Sequence, residues 1–195
     1  MKRLFYHRQS KNIILSVFMG GILILLLGIS FYNVFYQEKG LTDVLIAEHI
    51  KKLSEIFKKI DDVCGIIDFD HDKNYIDFLN VKSFSGSEVG SMNLKHPEKW
   101  QGPYLPENLT MQEQPYMIVK TKKGFFIVPG EGVKLANGKI IGKDMVFTHD
   151  TDIAKLMFDT NALLFNDQPL AAPVLLKKHP EQQIITQMLE MDEEV

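Results

Sequence analysis

Three aspartates stand at alternate positions of the chain, Asp68, Asp70 and Asp72. This is the spacing with which the start of a calcium loop presents carboxylate oxygens to one ion. An EF-hand also needs glycine at the sixth position and glutamate at the twelfth, and neither is present. Two interpretations remain open, a calcium site and a solvated acidic turn, and the turn requires fewer assumptions.

The remaining reactive residue types show no catalytic or metal-binding pattern. The six histidines lack the close spacings of a zinc site, and the run from His149 to Asp152 is explained by helix capping as well as by a metal. Cys64 is the single cysteine, so no disulfide can form within the chain, and a buried small side chain is its expected role. No nucleophile elbow, phosphate-binding loop or dinucleotide fingerprint occurs. The sequence therefore predicts a protein that is not an enzyme and has no cofactor and no metal.

A long apolar segment without any charged residue runs from Asn12 to Gln37. Because about 20 apolar residues suffice to cross a bilayer, it is predicted to be a transmembrane anchor, and its length favours an uncleaved signal anchor. Residues 1–11 carry four basic residues and no acid, namely Lys2, Arg3, Arg8 and Lys11. For a bacterium with two membranes, we expect a single pass through the inner (cytoplasmic) membrane, with the N-terminus cytoplasmic and residues 38–195 periplasmic or extracellular. A buried helix of a soluble protein is the alternative.

The charge of the exported part limits its partners. The formal net charge is −3, and setting aside the four basic residues of the N-terminal segment leaves −7 for the rest. Nucleic acid is therefore not an expected partner, since phosphate binding needs a clustered basic surface. Membrane lipid is the expected partner of the anchor. Residues 38–195 have the length of one domain.

A second helical pattern follows the anchor, over residues 41–60. Its apolar residues recur at spacings of four and three along one face, at Ile46, Ile50, Leu53, Phe57 and Ile60. Lysines and glutamate occupy the other face. No proline interrupts the chain from Asn12 to Ile60, so one long helix is predicted to leave the membrane and pack on a domain, with Gly40 as the point where it can kink.

A small antiparallel β-sheet is predicted over residues 114–148. Residues 114–121 and 124–129 read as one hairpin, and residues 133–135 and 139–141 flank Asn137 and Gly138 as a second, with a further strand at 145–148. Residues 65–112 read as a long connection with one or two turns of helix or strand. The C-terminal extension, residues 151–195, is predicted to contain a helix from Asp150 or Thr151 to about Leu164 and a short amphipathic stretch after Pro180. The predicted fold class is α+β, a long N-terminal helix (transmembrane, then amphipathic) packed on a small antiparallel sheet, with extra C-terminal helices.

The run Trp100-Gln101-Gly102-Pro103-Tyr104-Leu105 adds to this order of parts. A W-x-G-P-Y-L run after a connecting loop, together with an anchor that continues into an amphipathic helix, resembles the type IV pilin-like proteins and in particular the pseudopilins of type II secretion systems. The resemblance covers about residues 10–142. The chain departs from the family at residues 10–16, which lack the glycine and glutamate of the usual prepilin cleavage motif. The alternative explanation of the run is a turn at Gly102-Pro103 with Trp100 and Tyr104 packed beneath it.

The resemblance implies a membrane-anchored, non-enzymatic subunit of a secretion or pilus assembly. Its partners would be other pilin-like or secretion-system proteins, met through the N-terminal helix. Gly20, Gly21 and Gly28 are the candidates for close helix packing, because small residues let helices approach in lipid. Two other classes remain open: a single-pass envelope protein whose outer domain binds a ligand or another envelope protein, and an anchored hydrolase.

Overall fold

The computed structural model describes residues 2–177, and in the first helix it describes side chains for residues 17–32 and from residue 40 onward. The chain divides into two compact units, residues 1–41 and 42–195. Two predictions fall outside the described part. These are the amphipathic stretch after Pro180 and the side chains of the basic segment 1–11.

The first element is helix α1 (Lys2–Cys64). In the second unit, the five apolar residues predicted as its buried stripe have at most 2% of their surface exposed, which confirms that prediction. Phe57 makes edge contacts with Phe69 and Phe78, at ring-centroid distances of 6.1 and 6.3 Å. The helix ends at Cys64. The next residue, Gly65, has a φ of +66° and donates from its amide to the carbonyl of Asp61 (3.0 Å), which forms a left-handed helix end that suits glycine.

Short strands make up most of the rest of the second unit. In chain order the described strands are β1 (Ile66–Phe69), β2 (Lys73–Tyr75), β3 (Glu88–Val89), β4 (Met92–Leu94), β5 (Thr110–Met111), β6 (Gln114–Pro115), β7 (Met117–Thr121), β8 (Gly124–Val128), β9 (Leu164–Phe165), β10 (Gln168–Pro169) and β11 (Ala172–Pro173). A 3₁₀ turn at Pro97–Lys99 and helix α2 (Ile153–Leu156) complete the elements.

These strands form four small antiparallel sheets in the described part of the chain. The sheet of four strands has the order β11-β8-β7-β2, and its centre is the hairpin of β7 and β8, in register from Met117 opposite Val128 to Thr121 opposite Gly124. The sheet of three strands has the order β1-β4-β3, and β5-β6 and β9-β10 are two-stranded. The hairpin predicted at residues 114–129 is therefore confirmed.

The predicted fold class is wrong. In place of one small sheet at residues 114–148 there are several, and eight of their strands lie outside it, in residues 65–112 or 164–173, which were predicted as a connection and as part of the C-terminal extension. The predicted strands at 133–135, 139–141 and 145–148 are reduced to two isolated bridges, Lys134 with Ile140 and Ile141 with Met145. The strands are two to five residues long, too short to show an alternating pattern in the sequence.

The extra C-terminal helices are also part of this correction. The helix predicted to reach about Leu164 is one turn, α2. It stops because Asp159 offers a competing turn, in which its side chain accepts from the amide of Asn161 (2.8 Å) and its carbonyl accepts from the amide of Ala162 (2.8 Å).

The transmembrane part of the predicted fold finds no support in the described side chains. Among the helices they form, none is long and apolar enough to cross a membrane. Of the anchor predicted at residues 12–37, residues 12–16 and 33–37 lie outside the described side chains.

Candidate functional site

The aspartates with calcium-loop spacing face an amide donor. The side-chain nitrogen of Asn93, on β4, donates to a carboxylate oxygen of Asp68 (2.9 Å) and to one of Asp70 (2.7 Å), so these oxygens already have a partner. Nearby, the side chain of Asn74 closes a turn with the backbone of His71. Within the described residues, no three His, Cys, Asp or Glu side chains are placed to hold a metal ion. The structure therefore favours the acidic turn.

The acidic run near residue 150 is engaged with lysines. Lys122 pairs with Asp150 and Lys123 with Asp152, each at 2.6 Å. A hydrogen bond from its lysine lowers the pKa of each carboxyl group below its ordinary value. Asp152 also caps α2 by accepting from the amide of Lys155 (3.2 Å). Helix capping, one of the two interpretations of this run, is what the geometry supports.

The W-x-G-P-Y run forms an aromatic cluster at the surface of the second unit. The ring of Trp100 packs edge-on against Phe84 (5.4 Å) and Tyr104 (4.8 Å), and its indole nitrogen donates to the carbonyl of Val81 (3.0 Å). A Cβ on Gly102 would collide with both the indole and that carbonyl, so only glycine fits. The Gly102-Pro103 peptide bond is cis. The run therefore builds a packed turn, and no ligand is needed to explain it.

Cys64 is a buried side chain that shares a hydrogen bond with Tyr104 of this cluster. Burial raises the pKa of its thiol, against a hydrogen bond with Tyr104 that lowers it, and burial raises the pKa of the Tyr104 hydroxyl as well. A thiol that is harder to ionise is a poorer nucleophile. This environment agrees with the expected role of Cys64 as a buried small side chain.

Two polar residues of α1, the buried Asp43 and the half-buried His49, fix other parts of the second unit to the helix. Both carboxylate oxygens of Asp43 accept from the amide of Ala136, at 3.0 and 3.1 Å. The hydroxyl of Tyr116 lies 3.0 Å from Nδ1 of His49, and burial lowers the pKa of this histidine and raises that of the tyrosine. Sequence analysis identified none of the four residues, because their partners lie 67 and 93 positions apart.

A groove of about 330 Å³ lies at the C-terminal end of α1. Its walls include two acids, three lysines and the exposed side chain of Ile67; the charged residues are Asp61, Asp62, Lys95, Lys99 and Lys177. Lys177 is held to α1 twice, since its amide donates to Asp61 (3.0 Å) and its ammonium group pairs with Asp62 (3.0 Å). Sequence analysis missed this site because it joins three separate segments.

The first unit presents a different surface. Over residues 17–32 the large apolar side chains have 42–72% of their surface exposed, and they lie on all sides of the helix. The three predicted helix-packing residues, Gly20, Gly21 and Gly28, lie here, and a Cβ added to any of them would meet nothing within 4 Å. The two sets of predicted site residues are thus in different units, the glycines in the first and the W-x-G-P-Y run in the second.

Comparison of the chain with protein families, with curated proteins and with solved structures finds no match.

Proposed function

We propose that the chain is a non-enzymatic, membrane-anchored subunit of a secretion or pilus assembly, pilin-like or pseudopilin-like, that associates with similar subunits through its N-terminal helix. The observation that carries the proposal is the exposed apolar surface of residues 17–32. A helix that is apolar on every side is stable only when lipid or other protein covers it.

The sequence around this surface supports lipid as part of the cover. No charged residue occurs from Asn12 to Gln37, and the four basic residues before that segment are those that keep an N-terminus in the cytoplasm. On this proposal the helix is inserted in the inner membrane as a single pass, and the second unit lies on the periplasmic or extracellular side.

The glycines support lateral association within the membrane. At about 100° per residue, Gly21 and Gly28 lie about 20° apart around the helix, and Gly20 borders the same face. No side chain of the described residues fills the space beside them. A second helix can therefore approach the backbone closely along this line, which favours dispersion contacts in lipid.

The buried stripe of α1 and the W-x-G-P-Y turn support the resemblance to pilin-like proteins. Along α1, the side chains of Leu53 and Phe57 are completely buried in the second unit, whereas those of residues 17–32 are exposed. One part of the helix thus packs in the core of a domain, and the other part is available to contact partners.

Cysteine crosslinking in intact membranes tests this proposal. In the full chain with Cys64→Ala, single cysteines replace Gly21 or Gly28 on the proposed contact face, and Leu23 or Leu26 on the opposite face as matched controls. Crosslinks to a second copy or to another single-pass envelope protein are expected at Gly21 and Gly28, and at least five-fold weaker at the leucines.

Two results would overturn the proposal. Equal crosslinking at all four positions, or none with the protein inserted, excludes a specific helix contact and favours an anchor that serves only as a tether. Recovery of the whole chain in the soluble fraction excludes membrane anchoring itself.

A further inference from the structure

The exposed side of α1 in the second unit carries charges of alternating sign at a regular spacing. Acids stand seven positions apart, and a pair of lysines stands midway between successive acids. All of these side chains are exposed, and at about 100° per residue they lie on the side of α1 opposite the buried stripe. In chain order, this charged face consists of Glu48, Lys51, Lys52, Glu55, Lys58, Lys59 and Asp62.

The charged face is not neutralised by pairs within the helix. Opposite charges three or four positions apart can pair along one helix. Within the residues that the structure describes, however, the charged face forms a single ion pair, that of Asp62 with Lys177 (3.0 Å). Lys59 lies over the ring of Tyr104, 5.7 Å from its centroid. The charged groups from Glu48 to Lys58 can therefore pair with a partner.

The charge pattern is complementary to itself. Seven residues advance a helix by about 10.5 Å and turn it by only about 20° from a straight line, so the acids form a row with lysines on both sides. Two such helices in register would set acid against acid. A displacement of half a repeat, about 5 Å, sets the acids of each helix between the lysines of the other. A second copy of the helix therefore matches this face, whereas a partner of one charge sign would be repelled by one of the two sets.

An apolar contact extends the charged face by one turn. Val44 and Leu45, which precede Glu48 by four and three positions, have 42% and 37% of their surface exposed. A helix that covers these side chains removes apolar surface from water. Because exposed ion pairs are individually weak, the contact needs both this burial and several pairs in register.

We infer that the charged face of α1 binds the same face of a second copy of this chain, with the two helices parallel and displaced by about half a repeat. The contact lies in the second unit and involves none of the glycines of the first. Its parallel direction rests on the proposed function, because copies anchored in one membrane point the same way. Anchoring also raises the effective concentration of the two faces.

Crosslinking at the apolar end of the charged face tests the inference. In the full chain with Cys64→Ala, Leu45→Cys provides a thiol at this end, and a short bismaleimide joins the thiols of neighbouring copies in intact membranes. The matched control is Val146→Cys, at an exposed apolar residue outside α1.

Charge reversal then identifies what holds the copies together. A basic variant adds Glu48→Lys and Glu55→Lys, and an acidic variant adds Lys51→Glu, Lys52→Glu and Lys58→Glu. Both variants change exposed side chains alone, so the tryptophan emission of the parent should be retained. The two variants carry different tags, so that crosslinks within and between them can be told apart.

The parent should crosslink about five-fold more at position 45 than at position 146. Each variant alone should lose this excess, because like charges then face each other, and a mixture of the two variants should restore it between the differently tagged copies. The matched triple reversal Lys134→Glu, Lys143→Glu and Lys155→Glu, at exposed lysines outside α1, should leave the excess unchanged.

Three results would overturn the inference: no excess at position 45 in the parent, an excess that persists in each variant alone, or a mixture that does not restore it. Failure of the proposed function gives a different result. The chain would then leave the membrane fraction or lose its crosslinks at Gly21 and Gly28, while crosslinking at position 45 would still respond to charge reversal.

Discussion

The carboxylate of Asp61 joins the last turn of α1 to Lys177, 116 positions further along the chain. One of its oxygens accepts from the amide of Lys177 (3.0 Å) and the other from the amide of Ile66 (2.8 Å). The side chain has 5% of its surface exposed, so both donors depend on it in place of water. One residue thus holds the end of the helix, the start of β1 and the end of the described chain together.

Asp61→Asn should lower the free energy of unfolding by about 1–3 kcal/mol. The amide has one acceptor oxygen, so one of the two backbone donors is left without a partner while buried. Urea denaturation of the full chain, followed by the emission of the single tryptophan, measures the change. Asp62→Asn is the matched control, because it removes only an exposed ion pair and should cost about 0–1 kcal/mol. Equal losses for the two variants would contradict the bridging role of Asp61.

The stability of the second unit should respond to the pH through Asp43. Burial raises the pKa of this carboxyl group above its ordinary value of 3.8, against the bond from Ala136, which lowers it. The folded protein therefore binds the proton more tightly than the unfolded chain does, and this group's contribution to stability falls as the pH rises upward from about 3.8.

Asp43→Asn removes that titration. Its free energy of unfolding, compared with that of the parent, should improve as the pH is raised above about 3.8 and level off once Asp43 is ionised in the folded parent, whatever the constant offset between the two proteins. Parallel urea titrations across this range measure the difference. A difference that stays constant or declines with rising pH would show that burial does not govern this carboxyl group.

Gly102→Ala should destabilise the aromatic cluster. The added methyl group would meet the Trp100 indole and the carbonyl of Val81, and crowding of this kind costs about 1–3 kcal/mol. Thermal unfolding gives the stability, and a shift of the tryptophan emission reports displacement of the ring. Gln101→Ala, at the neighbouring exposed position, should change neither measurement. If Gly102→Ala changes neither the thermal stability nor the tryptophan emission, the turn is not closely packed around Gly102.

Phe57→Leu tests the buried apolar stripe of α1 at its one aromatic residue. The substitution removes the edge contacts with Phe69 and Phe78, and we expect a loss of about 1–3 kcal/mol. Phe158→Leu is the matched control, because the side chain of Phe158 is 46% exposed, and it should change the stability by about 0.5 kcal/mol or less. Chemical denaturation of both variants decides whether α1 is part of the core.

Gly21→Leu and Gly28→Leu test the glycine face of the first unit. Each adds a side chain where a partner helix is proposed to approach, so crosslinking of the chain in membranes should fall about ten-fold, which corresponds to about 1.4 kcal/mol. Met19→Leu lies on the opposite face and should leave crosslinking unchanged. Because leucine favours helix more than glycine does, a loss cannot be ascribed to a weakened helix.

The sequence predicts best where one local pattern decides the structure. The spacing from Ile46 to Ile60 identifies the buried stripe of α1, and two apolar β-rich runs around Lys122 and Lys123 identify the hairpin of β7 and β8. Both depend on neighbours within a few residues, which periodicity and turn chemistry report directly.

Prediction fails where the partner is distant. Ile66 pairs with Leu94, and β11 joins β8 from more than 40 residues away, so neither segment has a local pattern that marks it as a strand. The groove is a stronger example, because Asp61, Lys95 and Lys177 become neighbours only in the folded chain. The sequence also could not show that a distant residue, Asn93, donates to a carboxylate oxygen of Asp68 and to one of Asp70.

The long separations of the α1 contacts have a consequence for biosynthesis. The helix is synthesised before its partners. Asp43 can accept from Ala136 only after 93 further residues have been made, and Asp61 can accept from Lys177 only after 116. Until β1 to β8 have been made, its apolar stripe has no strands to cover it, and exposed apolar surface invites aggregation. A nascent chain arrested before Met117 should therefore depend on a chaperone, and its release from that chaperone would mark the arrival of the hairpin of β7 and β8.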